Sequence, residues 1–529
     1  MKKIAIVLLV SLMPFAGSSI FGQTLSSHQI DSIVTSAMSI MPHAGIAVAV
    51  VKDGKVVHSA GYGIASAETQ ERVDEYTLFA IASNTKSFTA AALAILVDQG
   101  KLNWNDKVVK YVPEFTMYDP YVTANFTIQD LLTHRSGLGL GAGDLMIFPD
   151  GGNFTVSDVA KSFQYQKQVS GFRTQYDYDN LLYIIAGEVV ARVSGMSWAE
   201  FVELNIMEPI GMDRSVALFQ NLADTSNIAL PHSIKEGNLI QLETYSDPSG
   251  LFGSAAGIYA SVNDMSKYLL MYLNDCTYGD SLSERLISKK NFAELWKPHT
   301  NKWFNAIPKA PYKSHFGSYG LGWGISDKNG FIVFEHTGGL PGMLSNMVVI
   351  PELNAGVIVL TNSDPGGYSY WTITQEIVDA FIEVEQKDWI DFMKSRIASR
   401  TAAGDSVTNA VWKTVKKANS KRINFDDYVG TYTDNWFGNV EISNDNGELL
   451  FRSIRSPKLT GHMYYYKANT FAIKWNYQDM ESDAFAIFQL DEEGRAVGIK
   501  MKGISPNIDF SFDFHDLDFK RDFVPKSKY

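Results

Sequence analysis

Apolar residues crowd one stretch of the chain from every side. In FAIASNTKSFTAAALAILVDQGKL (residues 79–102), Phe88, Ala90, Ala91, Ala92, Leu93, Ala94, Ile95, Leu96 and Val97 leave no polar stripe. A helix apolar all round belongs in the middle of a domain. Other segments are one-sided. SSHQIDSIVTSAMSIM reads as an amphipathic helix, and GIAVAVVKDGKVVHSAGYGIA as two strands turned at Asp53-Gly54. Thr127 is placed to cap TIQDLLTHRSGL, and the periodic run Leu181–Arg192 is closed by Gly195. SAAGIYASVNDMSKYLLMYL adds a loop and a helix, with Ser261 or Asn263 as cap. SYGLGWGI, GFIVFEHTGGLPGMLSNMVVIP and AGVIVLTNSD then read as three successive strands, and GYSYWTITQEIVDAFIEVEQ as a closing helix.

This order (two strands, many helices, three strands, a helix) predicts an α+β unit, with the hairpin and the late strands in one antiparallel sheet flanked by helices. From Lys387 to Lys421 the chain turns small, polar and basic and reads as a partly helical linker. Beyond it, alternating apolar residues with turns at Asn446-Gly447 and Glu493-Gly494 predict a small all-β sandwich or barrel. The expected division is residues 1–22 as a leader, 23–386 as the main domain, 387–421 as the linker and 422–529 as the β domain.

Composition refines this picture little. At 529 residues and 45% hydrophobic, the chain can bury a large core in more than one domain. The start, MKKIAIVLLVSLMPFAGSSIFGQ, has a basic head, a short apolar run and small residues, the pattern of a secretory signal peptide; a periplasmic or secreted location is expected. No later stretch reads as membrane-spanning. The net charge of −12, or −14 once Lys2 and Lys3 are removed, argues against nucleic acid and anionic lipid as partners. Cys276 is the only cysteine, so no intramolecular disulfide is possible, and it reads as a packing residue.

Chemistry first suggests itself at Ser83-Asn84-Thr85-Lys86. Three residues apart on a helix, a hydroxyl and an amine share one face. Burial favours the neutral amine, which can take the serine proton, and the helix N-terminus offers N–H groups to an oxyanion. Composition gives roughly two chance Ser-x-x-Lys matches in such a chain. Here the pattern occurs once, at the head of the most apolar helix. Two further positions gain meaning beside it. Tyr178-Asp179-Asn180 stands where a loop meets a helix, whereas Tyr272-Leu273-Asn274 lies within one. His336-Thr337-Gly338-Gly339 ends a strand with glycines that let a substrate backbone approach, unlike the copies at His43 and His315. His134-Arg135-Ser136-Gly137 reads as a buried turn whose polar groups bond backbone.

Together, Ser83-x-x-Lys86, Tyr178-x-Asn180 and His336-x-Gly338 resemble the serine β-lactamase and penicillin-binding-protein superfamily. The nearer likeness is to its class C-like branch of D-aminopeptidases, D-Ala-D-Ala carboxypeptidases and esterases. LLTHRSGL, the AAG of SAAGIYAS and GLGWGI add to it. The resemblance covers about residues 25–385, and residues 420–525 resemble the lipocalin-like barrel that follows some members. It implies a β-lactamase-like fold and a serine hydrolase working through an acyl-enzyme without metal or organic cofactor. Ser83 would be the nucleophile and Lys86 its proton partner. Tyr178 would be general base and acid, its phenol pKa lowered by the nearby ammonium. Asn180 would hold the substrate carbonyl, and the N–H groups of Ser83 and Gly339 would form the oxyanion hole. His336 stands where β-lactamases usually carry lysine, which disfavours carboxylate-bearing substrates and favours small peptides, including D-configured ones, or esters. The alternatives are a β-lactamase or carboxypeptidase, and an acylated sensor that does not turn over. The β domain has three candidate roles: roofing the site, binding a ligand or stabilising the fold.

Overall fold

The computed structural model describes residues 25–522 except 41, 236, 310–311, 365, 385–386, 419–422 and 480–481. The signal-peptide expectation falls outside them.

Eight strands form the main sheet, in the spatial order Lys55–Gly63, Gly45–Lys52, Ala355–Thr361, Met343–Ile350, Phe331–Leu340, Gly324–Lys328, Ser314–Tyr319, Thr300–Lys309. Every neighbouring pair is antiparallel. Asp53 and Gly54 turn the first hairpin with φ of 51° and 74°, the left-handed pair a two-residue hairpin requires. Six late strands replace the three expected. The run GFIVFEHTGGLPGMLSNMVVIP is two strands folded at Pro341-Gly342, and SYGLGWGI straddles a break between Tyr319 and Gly324. The edge strand Thr300–Lys309 exposes Trp303 and Phe304, so it carries no alternation that periodicity could detect.

One face of the sheet carries the helices Ser27–Met38 and Gly366–Phe381, with Ile30, Val34, Ile373 and Ile377 buried against Val48 and Val357. The other face carries the helix Thr85–Asp98, enclosed by Leu181–Ser194 and Val262–Leu273. Every residue from Thr85 to Leu96 is buried, as the all-round apolar pattern requires. No single described helix is long and apolar enough to cross a membrane. Cys276 is buried and reduced, consistent with a packing role.

The stretch expected to be a partly helical linker contains one continuous helix, Trp389–Lys417, which buries Trp389 and Met393 at one end and Val411 at the other. It leads into a closed eight-stranded antiparallel barrel spanning Gly430–Arg521. Asn446 and Gly447, with φ of 52° and 90°, turn the hairpin expected there. Phe451 meets Phe519 from a non-neighbouring strand, with ring centroids 6.3 Å apart, so side chains fill the barrel's interior. Arg455 pairs with Asp158 at 2.7 Å and Lys458 with Asp150 at 2.8 Å, fastening the barrel to the main domain.

Candidate active site

Ser83 sits in a single 3-10 turn, Ala82–Asn84, that runs directly into the buried helix. Between Thr77 and Leu96 it is the one residue that is not buried. Ala82 before it is held at φ 49°, a strained conformation for a residue with a Cβ. The surroundings therefore fix the turn that presents the hydroxyl to a cleft of about 390 Å³.

Lys86 lies one turn further on, completely buried. Its Nζ is 3.0 Å from Ser83 Oγ, 2.8 Å from Asn180 Oδ1 and 3.0 Å from the Ala255 carbonyl oxygen. Burial outweighs the attraction of Asp144 and Asp179 and lowers its pKa to about 7, so the neutral amine is accessible near neutral pH.

Tyr178 lines the cleft with Ser83, and its ring lies 4.9 Å from Lys86 Nζ. The resemblance implied a lowered phenol pKa. The structure corrects this: burial pushes the phenol well above its usual value, and the neighbouring Ser83 offsets only part of that. Of the two groups, Lys86 is the one whose pKa is brought near neutral pH.

Asn180 faces both the lysine and the cleft. Its Oδ1 accepts from Lys86 and its Nδ2 donates to Asp144 Oδ2 at 2.8 Å. Nδ2 carries a second hydrogen, and Asn180 lines the cleft.

His336 ends up in the same cleft. Its Nε2 pairs with the Tyr319 hydroxyl at 2.8 Å and its Nδ1 with the Thr337 carbonyl at 2.7 Å. Burial, with the Lys86 charge adding to it, lowers its pKa to about 3, so it is neutral and committed to protein partners. Gly338 shows why the strand ends in glycine. A Cβ there would come within 2.2 Å of the Ile81 carbonyl oxygen and 3.0 Å of Ser83 N. Only a bare backbone lets Thr337, Gly338 and Gly339 run past the Ser83 turn, where all three line the cleft.

Several residues of the site escaped the sequence reading. His134 does form the expected buried turn: its carbonyl accepts from Asp177 N at 2.9 Å, and its Nδ1 accepts from Asp179 N at 3.1 Å. Its ring also lies 4.2 Å from that of Tyr178, which places it behind the phenol. Lys302, from the undetected edge strand, brings a cation to the cleft and sits 5.2 Å from the Tyr176 ring. The barrel supplies Asp509, Phe510, Ser511 and Phe512 to the cleft wall. Of the three candidate roles for the β domain, roofing the site is the one that this wall supports. No local motif signals those four residues, because their meaning depends on how the two domains dock.

The sequence profile of the beta-lactamase family matches residues 30–374. The chain belongs to that family. Its members are generally serine hydrolases, though some are non-catalytic. Residues 414–521 match a domain of unknown function, DUF3471. The chain is 25% identical over 454 residues to the unguisins hydrolase ungD of Aspergillus violaceofuscus, covering 80% of this chain and 77% of that protein. It is 26% identical over 343 residues to protein flp of Staphylococcus aureus strain MW2, covering 64% and 63%. Among solved structures, the octameric penicillin-binding protein homologue from Pyrococcus abyssi superposes with a TM-score of 0.57 at 21% identity, over 94% of this chain and all of that one. A penicillin-binding protein from Bacillus halodurans gives 0.52 at 24%, over 65% of this chain and 98% of the other.

Proposed function

We propose that this beta-lactamase-family protein hydrolyses amides or esters through an acyl-enzyme on Ser83. The contact that carries this reading is between Ser83 Oγ and the fully buried Lys86 Nζ, 3.0 Å apart. Neutral Lys86 takes the Ser83 proton as Oγ attacks the substrate carbonyl. The N–H groups of Ser83 and Gly339 hold the oxyanion. Collapse of the tetrahedral intermediate expels the amine or alcohol, which receives a proton from the Lys86–Tyr178 pair. Water, deprotonated by the same lysine, then attacks the acyl ester and releases the acid.

The substrate we propose is a small peptide, D-configured residues included, or an ester of similar size. A cleft of about 390 Å³ suits a small substrate. The neutral state of His336 weakens the case for a carboxylate anchor at that position. One observation favours a second reading: Lys302 lines the cleft and could serve a β-lactam or peptide carboxylate from another side. The deciding experiment is intact-protein mass spectrometry with a fluorophosphonate, a penicillin, p-nitrophenyl acetate and D-Ala p-nitroanilide, with product release followed in parallel. Labelling at Ser83 with ester or D-amino-amide turnover supports the first reading. Rapid penicillin turnover that is lost in Lys302→Ala supports the second. An adduct with no turnover indicates a sensor, and Ser83→Ala with full activity would sink the acyl-enzyme.

A further inference from the structure

Behind Lys86 a line of hydrogen bonds leaves the main domain and ends in the barrel. Asn180 gives its oxygen to Lys86, so something must hold the other end of its amide. An amide rotated by half a turn would instead point N–H groups at the amine. Asp144 Oδ2 does this, accepting Asn180 Nδ2 at 2.8 Å. The same oxygen accepts Ser511 Oγ at 2.9 Å. Asp513 braces the backbone on both sides of Asp144, its carboxylate accepting Gly143 N at 2.7 Å and Leu145 N at 2.9 Å. Asp144 and Asp513 are completely buried, and Ser511 nearly so. Ser511 and Asp513 lie in the connection between the barrel strands Ala496–Gly503 and Asp518–Arg521.

We propose that Asp144 is the positioning residue of the catalytic lysine, and that Ser511 and Asp513 hold it in place, so that the barrel is a working part of the active site. The inference rests on the acyl-enzyme reading, in which Lys86 must face Ser83. It goes beyond a roofing role, because a roof limits what enters the cleft whereas this line of bonds sets how fast any bound substrate reacts.

The test uses the full-length protein. Fluorophosphonate labelling at Ser83 is timed alongside kcat and KM for p-nitrophenyl acetate in wild type, Asp144→Leu, Asp144→Asn and Ser511→Ala. Leucine keeps the bulk and accepts no hydrogen bond. With the amide unheld, labelling and kcat should fall about 100-fold while KM changes less than about threefold. Asparagine offers a carbonyl oxygen for the same two bonds and should recover most of that loss. Ser511→Ala removes one bond from the barrel side and should lower kcat about fivefold at unchanged KM. If Asp144→Leu fails to fold, Ser511→Ala alone decides. Wild-type rates in Ser511→Ala overturn the barrel's part. An Asp144→Asn variant as slow as Asp144→Leu overturns positioning in favour of a role for charge. A wild-type protein that Ser83 reagents do not label overturns the acyl-enzyme reading and this inference together; labelling that the variants leave unchanged removes this inference only.

Discussion

Phe510 of the barrel meets Tyr178 of the main domain edge to face, with ring centroids 5.9 Å apart and planes at 84°. The same ring covers Gly141, where a Cβ would lie 2.8 Å from Phe510 Cδ2. A side chain from the second domain therefore bounds the cleft beside the Tyr178 phenol. Phe510→Ala should widen the cleft and shift the ratio of kcat/KM between a bulky and a small acyl ester about tenfold towards the bulky one. An unchanged ratio across a series of acyl chain lengths counts against Phe510 as a limit on substrate size.

The pH profile should expose the base. In the proposed mechanism Lys86 acts when neutral, and its pKa is lowered to about 7, so kcat/KM should climb as pH rises through about 7 and then level. His336, held near 3, stays neutral through this range and adds no limb. Tyr178 is pushed well above 10, so it does not titrate there either. Lys86→Arg keeps the cation but cannot release its proton at these pH values, and should lose about a thousandfold in kcat. A profile with no ascending limb near 7 in the wild-type protein would remove Lys86 as the base.

Gly338→Ala is a test of how the strand is seated. The added methyl would meet the Ile81 carbonyl at 2.2 Å and Ser345 Oγ at 2.5 Å, and neither can yield without moving the Ser83 turn. Overpacking of this kind costs about 1–3 kcal/mol. Because the turn carries Ser83, labelling of its hydroxyl should slow by more than the stability loss alone would cause. Gly339→Ala meets only Leu344 Cδ2 at 3.2 Å and should cost much less stability. Thermal unfolding and labelling rates measured on both variants check the contrast.

The parts of this protein that can be read from the sequence are those written in local periods. The buried Ser83 helix shows in its lack of a polar stripe, and the Asp53-Gly54 and Asn446-Gly447 hairpins show because left-handed turn pairs demand those residues. Ser83 and Lys86 belong to one turn, so their spacing carries their geometry. Tyr178 and His336 come from elements far apart in sequence; their residue types could be noted, but only family resemblance gave them roles. Asp144, Lys302 and Ser511 show no pattern because their partners lie across the fold: 36 residues separate Asp144 from Asn180, and 367 separate it from Ser511. The environment of the Tyr178 phenol is hidden for a related reason. The resemblance implies a lowered pKa beside an ammonium, whereas the surrounding rings of His134, Phe510 and His336 take water away from it.

Asp130 ties together the two loops that carry His134 and Tyr178. It is fully buried and accepts from Arg135 Nε at 3.0 Å, from Arg173 Nε at 2.9 Å, and from Thr127 N and Oγ1 at 2.9 and 2.6 Å. Burial alone would raise its pKa; the bonds from Arg173 and Thr127, and the two guanidinium charges, outweigh this and hold it below the usual carboxylate value. A carboxyl depressed in this way stabilises the fold fully above its unfolded pKa, and the contribution is lost as pH falls through the lower folded value. Asp130→Asn should therefore cost about 3 kcal/mol near pH 7, since it leaves two arginines facing an amide. The gap between wild type and variant should shrink as pH drops below about 4. Urea titrations at pH 7 and at successively lower pH measure both quantities. A gap that stays constant across that range would mean that packing, and not charge, holds the two loops together.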